Sequence, residues 1–297
     1  MHTLIQQLTA CGPVLTDGAW GTQFQVRGLA AGESPDGWNL EHPDRVEDVA
    51  RAYVEAGSQV ILTNTFRANR IALERDPLAA KLEEINRCGV EISRRAAAGR
   101  ARVFASLGPS GKLLMTGEVA ADELRAAYSE QASALAAAGA DALIFETMSD
   151  LEEAKIGVEA AKVTGLPVIV SLAFDSGKNY DRTMMGVTPE QAAAELTAAG
   201  ADVVGANCGQ GIESYAVLGQ RLHAATTLPI WLKPNAGLPE LVDGKAQYRT
   251  APEEFARHAP ALVAAGANFI GGCCGTNPDF IRSLRHALGR DAAGARG

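Results

Sequence analysis

No stretch of this sequence is apolar for long enough to cross a bilayer. Its longest runs, such as ALVAAG and DALIF, fall far short of the roughly 20 residues that a spanning helix needs. The start, MHTLIQQLTACG, lacks the basic region and the apolar length of a secretory leader. A membrane is therefore not expected as a partner, and the sequence reads as cytoplasmic. Positive charge is also in deficit, with 27 Lys and Arg against 35 Asp and Glu and a net charge of −8. Nucleic acid needs a basic face, so it too is not expected as a partner. Cysteine is sparse, and its five positions, Cys11, Cys88, Cys208, Cys273 and Cys274, include one adjacent pair. An odd number in that arrangement makes a poor disulfide framework. In a reducing compartment clustered cysteines more often mean metal or catalysis.

What the sequence does contain is a weak internal repeat. A helical stretch ends in Ala-Gly, one or two small or polar residues follow, and a short apolar run begins. EAGSQVILTN, AAGADALIFET, AAGADVVGANC and AAGANFIGGCC are its copies. Gly57, Gly139, Gly200 and Gly266 stand where a helix ends, a position that favours a left-handed residue. LPVIVSLAF and LPIWLKPN each open a strand with Pro, and VLTDG and RVFASLG complete a set of eight apolar runs. The runs are nearly continuous rather than alternating, as expected of parallel strands covered on both faces. Helical patterns separate them, including PDRVEDVARAYVEAG, the stretch from Leu78 to Ala98, and APEEFARHAPALVAAG. Thr188 and Thr250 each stand shortly before a Pro that opens a helix, and both read as caps.

Eight strand-helix units predict an α/β fold, a (β/α)₈ TIM barrel, with residues 1–297 forming one domain. The competing doubly wound sheet is disfavoured because no G-x-G-x-x-G follows the first strand. Two loops, Gly28 to Pro43 and Asp175 to Gly186, are long enough to serve an active site, and the tail DAAGARG is expected to fray.

Active sites of such barrels lie at the C-terminal ends of the strands. The predicted ends are Asp17-Gly18, Thr63-Asn64-Thr65, Ser106-Leu107-Gly108, Glu146-Thr147, Phe174-Asp175, Asn207-Cys208-Gly209, Lys233-Pro234-Asn235 and Gly271 to Gly275. Three of the five cysteines thus share one rim. Adjacent residues of a strand point to opposite faces, so Cys273 and Cys274 can share an ion only where the chain turns, and the glycines at 271, 272 and 275 allow a turn. Strands six and eight are about 10 Å apart, a gap that Cys side chains and Zn–S bonds of about 2.3 Å close. Three thiolates with no fourth local ligand describe a catalytic zinc site with one open position. The plainer reading is that these cysteines pack as small hydrophobes.

Several segments carry a family resemblance: LTDGAWGTQ, TNTFRAN, FET, GANCG, KPNAGLP and GGCCGTNPDFIR. They extend from residue 15 to residue 282, and GGCCG with an upstream NCG is the specific part. On these segments the chain resembles the zinc-dependent homocysteine S-methyltransferases. That family includes betaine-homocysteine methyltransferase, S-methylmethionine-dependent enzymes and the homocysteine-binding domain of cobalamin-dependent methionine synthase, and its fold is a (β/α)₈ barrel.

The resemblance implies a methyltransferase of methionine biosynthesis, with one Zn²⁺ per chain on Cys208, Cys273 and Cys274. The homocysteine thiol would take the open position and attack the donor methyl in line. Coordination suits this because only a thiolate attacks, and a free thiol ionises near 8.5. The resemblance further implies Glu146 for the substrate ammonium, and Asp17 with the Gly18 and Ala19 amides for the head group. Asn235 would fill the fourth metal position when substrate is absent. Read from the residues alone, Glu146 could instead cap the helix near Asp150, and Asp17-Gly18 could be an ordinary turn.

The resemblance points to a separate methylated corrinoid protein as donor, since 297 residues leave no room for a cobalamin or folate domain. S-methylmethionine or a betaine-like donor, another acceptor thiol, and a non-catalytic zinc- or thiol-binding subunit of a methyl-transfer complex are the alternatives. Trp20 and Trp38 could wall the donor pocket or cover the barrel mouth. The five histidines, Cys11 and Cys88 read as surface or packing residues, and the helix SDLEEAK as a solvated face.

Overall fold

In the computed structural model, which describes residues 2–242 and 245–290, seven strands precede a small hairpin and an eighth barrel strand follows it. They are β1 (Val14–Leu15), β2 (Val60–Ile61), β3 (Arg102–Leu107), β4 (Ala142–Met148), β5 (Val168–Leu172), β6 (Val203–Gly211) and β7 (Ile230–Asn235). The hairpin is β8 (Glu240–Val242) with β9 (Lys245–Gln247), and the last barrel strand is β10 (Ala267–Ile270). The barrel strands pair in parallel in the order β1-β10-β7-β6-β5-β4-β3-β2. The two ends of this sheet are joined by single bonds. Gln59 donates its N–H to the Leu15 carbonyl at 2.8 Å and accepts the Leu15 N–H on Oε1 at 3.1 Å. Asp17 Oδ2 accepts the Leu62 N–H at 2.7 Å. The (β/α)₈ barrel read from the repeat is the fold, and the tail from residue 291 lies outside the described residues.

Apolar strand residues serve two layers. Val14, Val60, Leu62, Phe104, Ile144, Ile169, Val203, Trp231 and Phe269 fill the barrel interior, where Phe104, Trp231 and Phe269 stack with centroids 5.3–6.4 Å apart. Ile5, from the helix Thr3–Thr9, joins this interior cluster. The His2 amide ties that helix to Asp202, just before β6, so it plugs the N-terminal end of the barrel. The other cluster packs the outer barrel face against the helices. Gly205 is required by close approach, because a Cβ there would collide with the Trp231 carbonyl of the neighbouring strand.

Local signals explain most helices. Pro43 opens the helix Pro43–Ala56 and Gly57 ends it at φ 109°. Thr188 accepts the Gln191 N–H at 3.2 Å, as its sequence position predicts. Three readings change. Ala251, not Thr250, is the cap of Pro252–Ala256. The stretch APEEFARHAPALVAAG is two helices, Pro252–Ala256 and Ala259–Ala264, because Pro260 offers no N–H to the preceding turn. The helix expected from Leu78 begins at Leu82, after a 3₁₀ turn, Pro77–Lys81, capped by Asp76.

A candidate thiolate site at the barrel mouth

Within β6, where the ladder to β7 is interrupted, Cys208 has φ 60° and Gly209 follows at 67°. Tyr215, from the next helix, donates its hydroxyl to the Cys208 carbonyl at 2.5 Å. Beyond β10 the Cys273 N–H bonds to the Pro234 carbonyl at 2.7 Å, and the Ala236 N–H to the Cys274 carbonyl at 2.9 Å. β7 thus guides the vicinal pair. Of the three glycines read as turn-formers, only Gly275 has a positive φ, 81°. Gly271 and Gly272 serve close approach instead, since side chains there would strike Thr16 and Thr276.

These backbone paths bring the three sulfurs together. Cys208 Sγ stands 3.0 Å from Cys273 Sγ and 3.6 Å from Cys274 Sγ, and all three lie within 4.8 Å of one another. Sulfurs on a tetrahedral zinc, with bonds of about 2.3 Å, would be spaced by about 3.8 Å. Hydrogen bonds from Cys208 and then Cys273 pull the Cys274 thiol down to about 3, and the same sharing holds the Cys208 thiol well above its ordinary value. Three thiolates together require a metal or an equivalent positive charge. Asn235, at the end of β7, has a buried Oδ1 with no hydrogen-bond partner among the described residues. β7 pairs with β6 on one side and β10 on the other, so this orphan acceptor arises between the two cysteine-bearing segments. The three converging sulfurs suit a thiophilic cation.

The cluster lines a cavity of about 320 Å³ with Glu146, Ser106, Lys233, Trp20, Phe66 and Asp36. Glu146 is no helix cap; that place belongs to Asp150, which accepts the Glu152 and Glu153 N–H groups. Glu146 Oε1 instead accepts the Ser106 hydroxyl at 2.5 Å. Burial pushes its carboxyl up to about 7, with Lys233 acting in the opposite direction. Asp17 is fully buried beneath the cavity, its carboxylate bound to Lys233 Nζ at 2.5 Å, Trp20 Nε1 at 2.7 Å and the Leu62 N–H. The Ala19 N–H is engaged by Thr276 Oγ1 at 3.1 Å. Gly18 lines the cavity, and its N–H has no partner among the described residues.

Lys233, Ser106, Asn207 and Thr147 stand at predicted strand ends, but the sequence gives them no role. Burial opposes the charge of Lys233, yet Asp17 and then Glu146 more than offset that and raise its pKa. Tyr248, which no sequence signal marks, follows the hairpin, covers Gly275 and helps to lower the Cys274 thiol. Trp20 lines the cavity, whereas Trp38 is buried with its indole N–H on Glu33 at 2.5 Å. The segment SDLEEAK is not wholly solvated: Glu153 is buried, accepting the Ser110 N–H and the Tyr128 hydroxyl, each at 2.7 Å.

Asp36 also escapes the sequence reading. It sits in a 3₁₀ turn, Pro35–Gly37, inside the loop from Gly28 to Pro43. An amide pair, Asn39 with Asn64, pins this loop to the end of β2. Asp36 Oδ1 accepts the Arg67 N–H at 3.1 Å, but burial dominates and pushes its carboxyl from 3.8 up to about 6. A raised acid holds its proton better folded than unfolded, so it weakens the fold as pH rises from 3.8 to about 6. At about 1.4 kcal/mol per unit, the loss above pH 6 is about 3 kcal/mol. Asp36→Asn keeps the Arg67 contact. It is expected to raise the melting temperature at pH 8, with the gain shrinking below pH 6 and vanishing near pH 4. A gain independent of pH would contradict this.

Comparison with known proteins agrees with the geometry. The family model for homocysteine S-methyltransferase matches residues 14–288. Methionine synthase of Mycobacterium leprae is 32% identical over 311 residues, covering 98% of this chain and 25% of that protein. Its counterpart in Mycobacterium tuberculosis is 31% identical over 288 residues, covering 92% and 24%. The chain thus spans about a quarter of the length of these curated relatives. The metallated crystal form of the Escherichia coli homocysteine methyltransferase MmuM superposes with a TM-score of 0.78 and 25% identity, covering 92% of this chain and 96% of that one. The carboxyl transferase domain of Rhizobium etli pyruvate carboxylase, at 15% identity and a TM-score of 0.54, shares the fold alone. On the span of the family match, this chain belongs to the homocysteine S-methyltransferase family.

Proposed function

We propose that this chain, as one homocysteine-binding barrel, transfers a methyl group to the thiol of homocysteine to give methionine, with one zinc ion held by Cys208, Cys273 and Cys274. The observation that carries this reading is the convergence of three sulfurs on one wall of the mouth cavity, in a chain of this family. Zinc, when bound, is a Lewis acid that ionises an entering thiol at neutral pH.

The chain's own residues supply the rest. Glu146 binds the substrate ammonium, and Ser106 orients that carboxylate. The Gly18 amide donates to the substrate carboxylate. Asp17 keeps this segment in place through its bonds to Lys233, Trp20 and Leu62, while the Ala19 amide stays on Thr276. Asn235 would help to hold the metal through its side-chain oxygen when substrate is absent. Trp20, Phe66 and Leu62 exclude water from the reacting sulfur. The sulfur gains the methyl carbon in line as the bond from that carbon to the donor breaks, and the thiol proton has already left to solvent. A separate methylated corrinoid protein in the cytoplasm is the donor in this reading, on the resemblance of the KPNAGLP and GTNPDFIR segments to the cobalamin-dependent methionine synthases. The deciding measurement is methionine formation by the zinc-loaded chain with homocysteine and, in turn, a methylated corrinoid, S-methylmethionine and betaine. No turnover with any of the three would overturn the reading.

The Glu146 assignment has its own test. Only the ionised carboxyl attracts an ammonium, so binding should strengthen about tenfold per pH unit up to about 7 and then level off. Methionine is the ligand of choice, because its sulfur has no proton to lose. Titration calorimetry across pH is expected to show that profile. Glu146→Gln should flatten it and weaken binding at pH 8 by about 10–100-fold, as for a lost charged hydrogen bond.

A further inference from the structure

Four non-glycine residues of the described chain have positive φ, and two of them, Thr147 at 61° and Cys208 at 60°, line the mouth cavity. A β-branched residue such as Thr147 is an outlier there and needs its surroundings to hold it. Both lie where a ladder is interrupted. β4 shifts register against β5 between Phe145 and Met148, and β6 shifts against β7 between Asn207 and Gly211.

One side chain reaches both interruptions. Asn207 is fully buried. Its Oδ1 accepts the Thr147 N–H at 2.8 Å and the Ser171 hydroxyl at 2.7 Å. Its Nδ2 donates to Thr147 Oγ1 at 2.7 Å and to Cys273 Sγ at 3.8 Å. The amide cannot be turned over, because its nitrogen would then face the Thr147 N–H. Thr147 directly follows Glu146, and Asn207 directly precedes Cys208. A single amide therefore ties the carboxylate end of the cavity to its sulfur end.

We propose that Asn207 is a positioning residue that fixes the separation between the Glu146 carboxylate and the sulfur cluster, and so selects homocysteine over the one-methylene-shorter cysteine. The proposal rests on the reading above, in which Glu146 holds the ammonium and the cluster holds the thiol. With both ends anchored, only an amino thiol of matching length satisfies both. Without the amide, Thr147 is free to leave the left-handed region, and Glu146 moves with it.

The test uses zinc-loaded full chain as wild type, Asn207→Ala, Thr147→Val and the double variant Asn207→Ala/Thr147→Gly. Dissociation constants for homocysteine and for cysteine are measured by calorimetry, and the Co²⁺-loaded absorption spectrum reports on the cluster. Wild type is expected to prefer homocysteine, and Asn207→Ala to lose about tenfold of that preference while still binding metal. Thr147→Val, which strips the Oγ1 acceptor, should move the same way if Asn207→Ala fails to fold. The double variant should recover part of the preference, because Gly adopts this φ without strain although nothing holds it there. A lowered melting temperature with an unchanged homocysteine-to-cysteine ratio overturns the proposal. So does loss of metal with methionine binding unchanged, which would confine Asn207 to the cluster. Wild type that binds no homocysteine overturns the underlying function as well, whereas a preference kept by every variant overturns this inference alone.

Discussion

Cys208→Ala is expected to abolish methyl transfer and metal retention while leaving the barrel folded. Structural zinc sites with four ligands bind with about 10–16 kcal/mol, so one thiolate is worth a few kcal/mol, about 10²–10³-fold in affinity. Activity should fall further, about 10³-fold or more, since an entering thiol would lose its ionising partner and its fixed position together. The fold should survive because, among the described residues, Cys208 Sγ bonds only to the other two sulfurs. Its backbone is held separately, by Tyr215 on the carbonyl. Zinc-to-protein ratios after a chelator challenge, with melting curves of the metal-free proteins, separate these effects. Cys88→Ala serves as the control, since Cys88 lies away from the cavity. A Cys208→Ala protein that keeps its zinc under chelator would remove Cys208 from the site.

The barrel and its three cysteines were legible because each is written locally. A Gly after a helix, a Pro at a strand start and an unbroken apolar run are short-range signals, and eight of them in alternation leave little topological choice. The cysteines could be placed on one rim by counting strand ends. What stayed hidden depends on contacts across the barrel. Asp17 meets Lys233 over 216 positions, and nothing near either residue announces the other. Asn207 carries an ordinary turn-forming side chain in sequence, and its function appears only when β4 and β6 are one strand apart. Glu153 looked solvated because helix periodicity cannot show that the loop after β3 folds over it. In APEEFARHAPALVAAG the apolar period outweighed Pro260, although the missing N–H was written in the sequence.

Lys233→Met is expected to cost about 3–5 kcal/mol, the penalty for leaving the partner of a buried ion pair uncompensated. Asp17 cannot escape into water, because it has no exposed surface and also closes the sheet through Leu62. For a chain of 297 residues, unfolding with about 2.1 cal/mol/K of entropy per residue, the loss corresponds to a fall in melting temperature of about 5–8 °C. Asp17→Asn/Lys233→Met should melt higher than the single variant, since the buried charge goes with its partner, and the double-mutant cycle measures that coupling. Glu146 supplies a second readout. Lys233 is the cation that holds its carboxyl down against burial, so in Lys233→Met the methionine-binding profile should shift to higher pH than in wild type. A Lys233→Met protein that melts within a degree or two of wild type and keeps the same binding profile would remove Lys233 from both roles. A large stability loss with an unmoved profile would instead separate the two, leaving Lys233 as the counter-ion that closes the barrel and Glu146 as a carboxylate governed by burial alone.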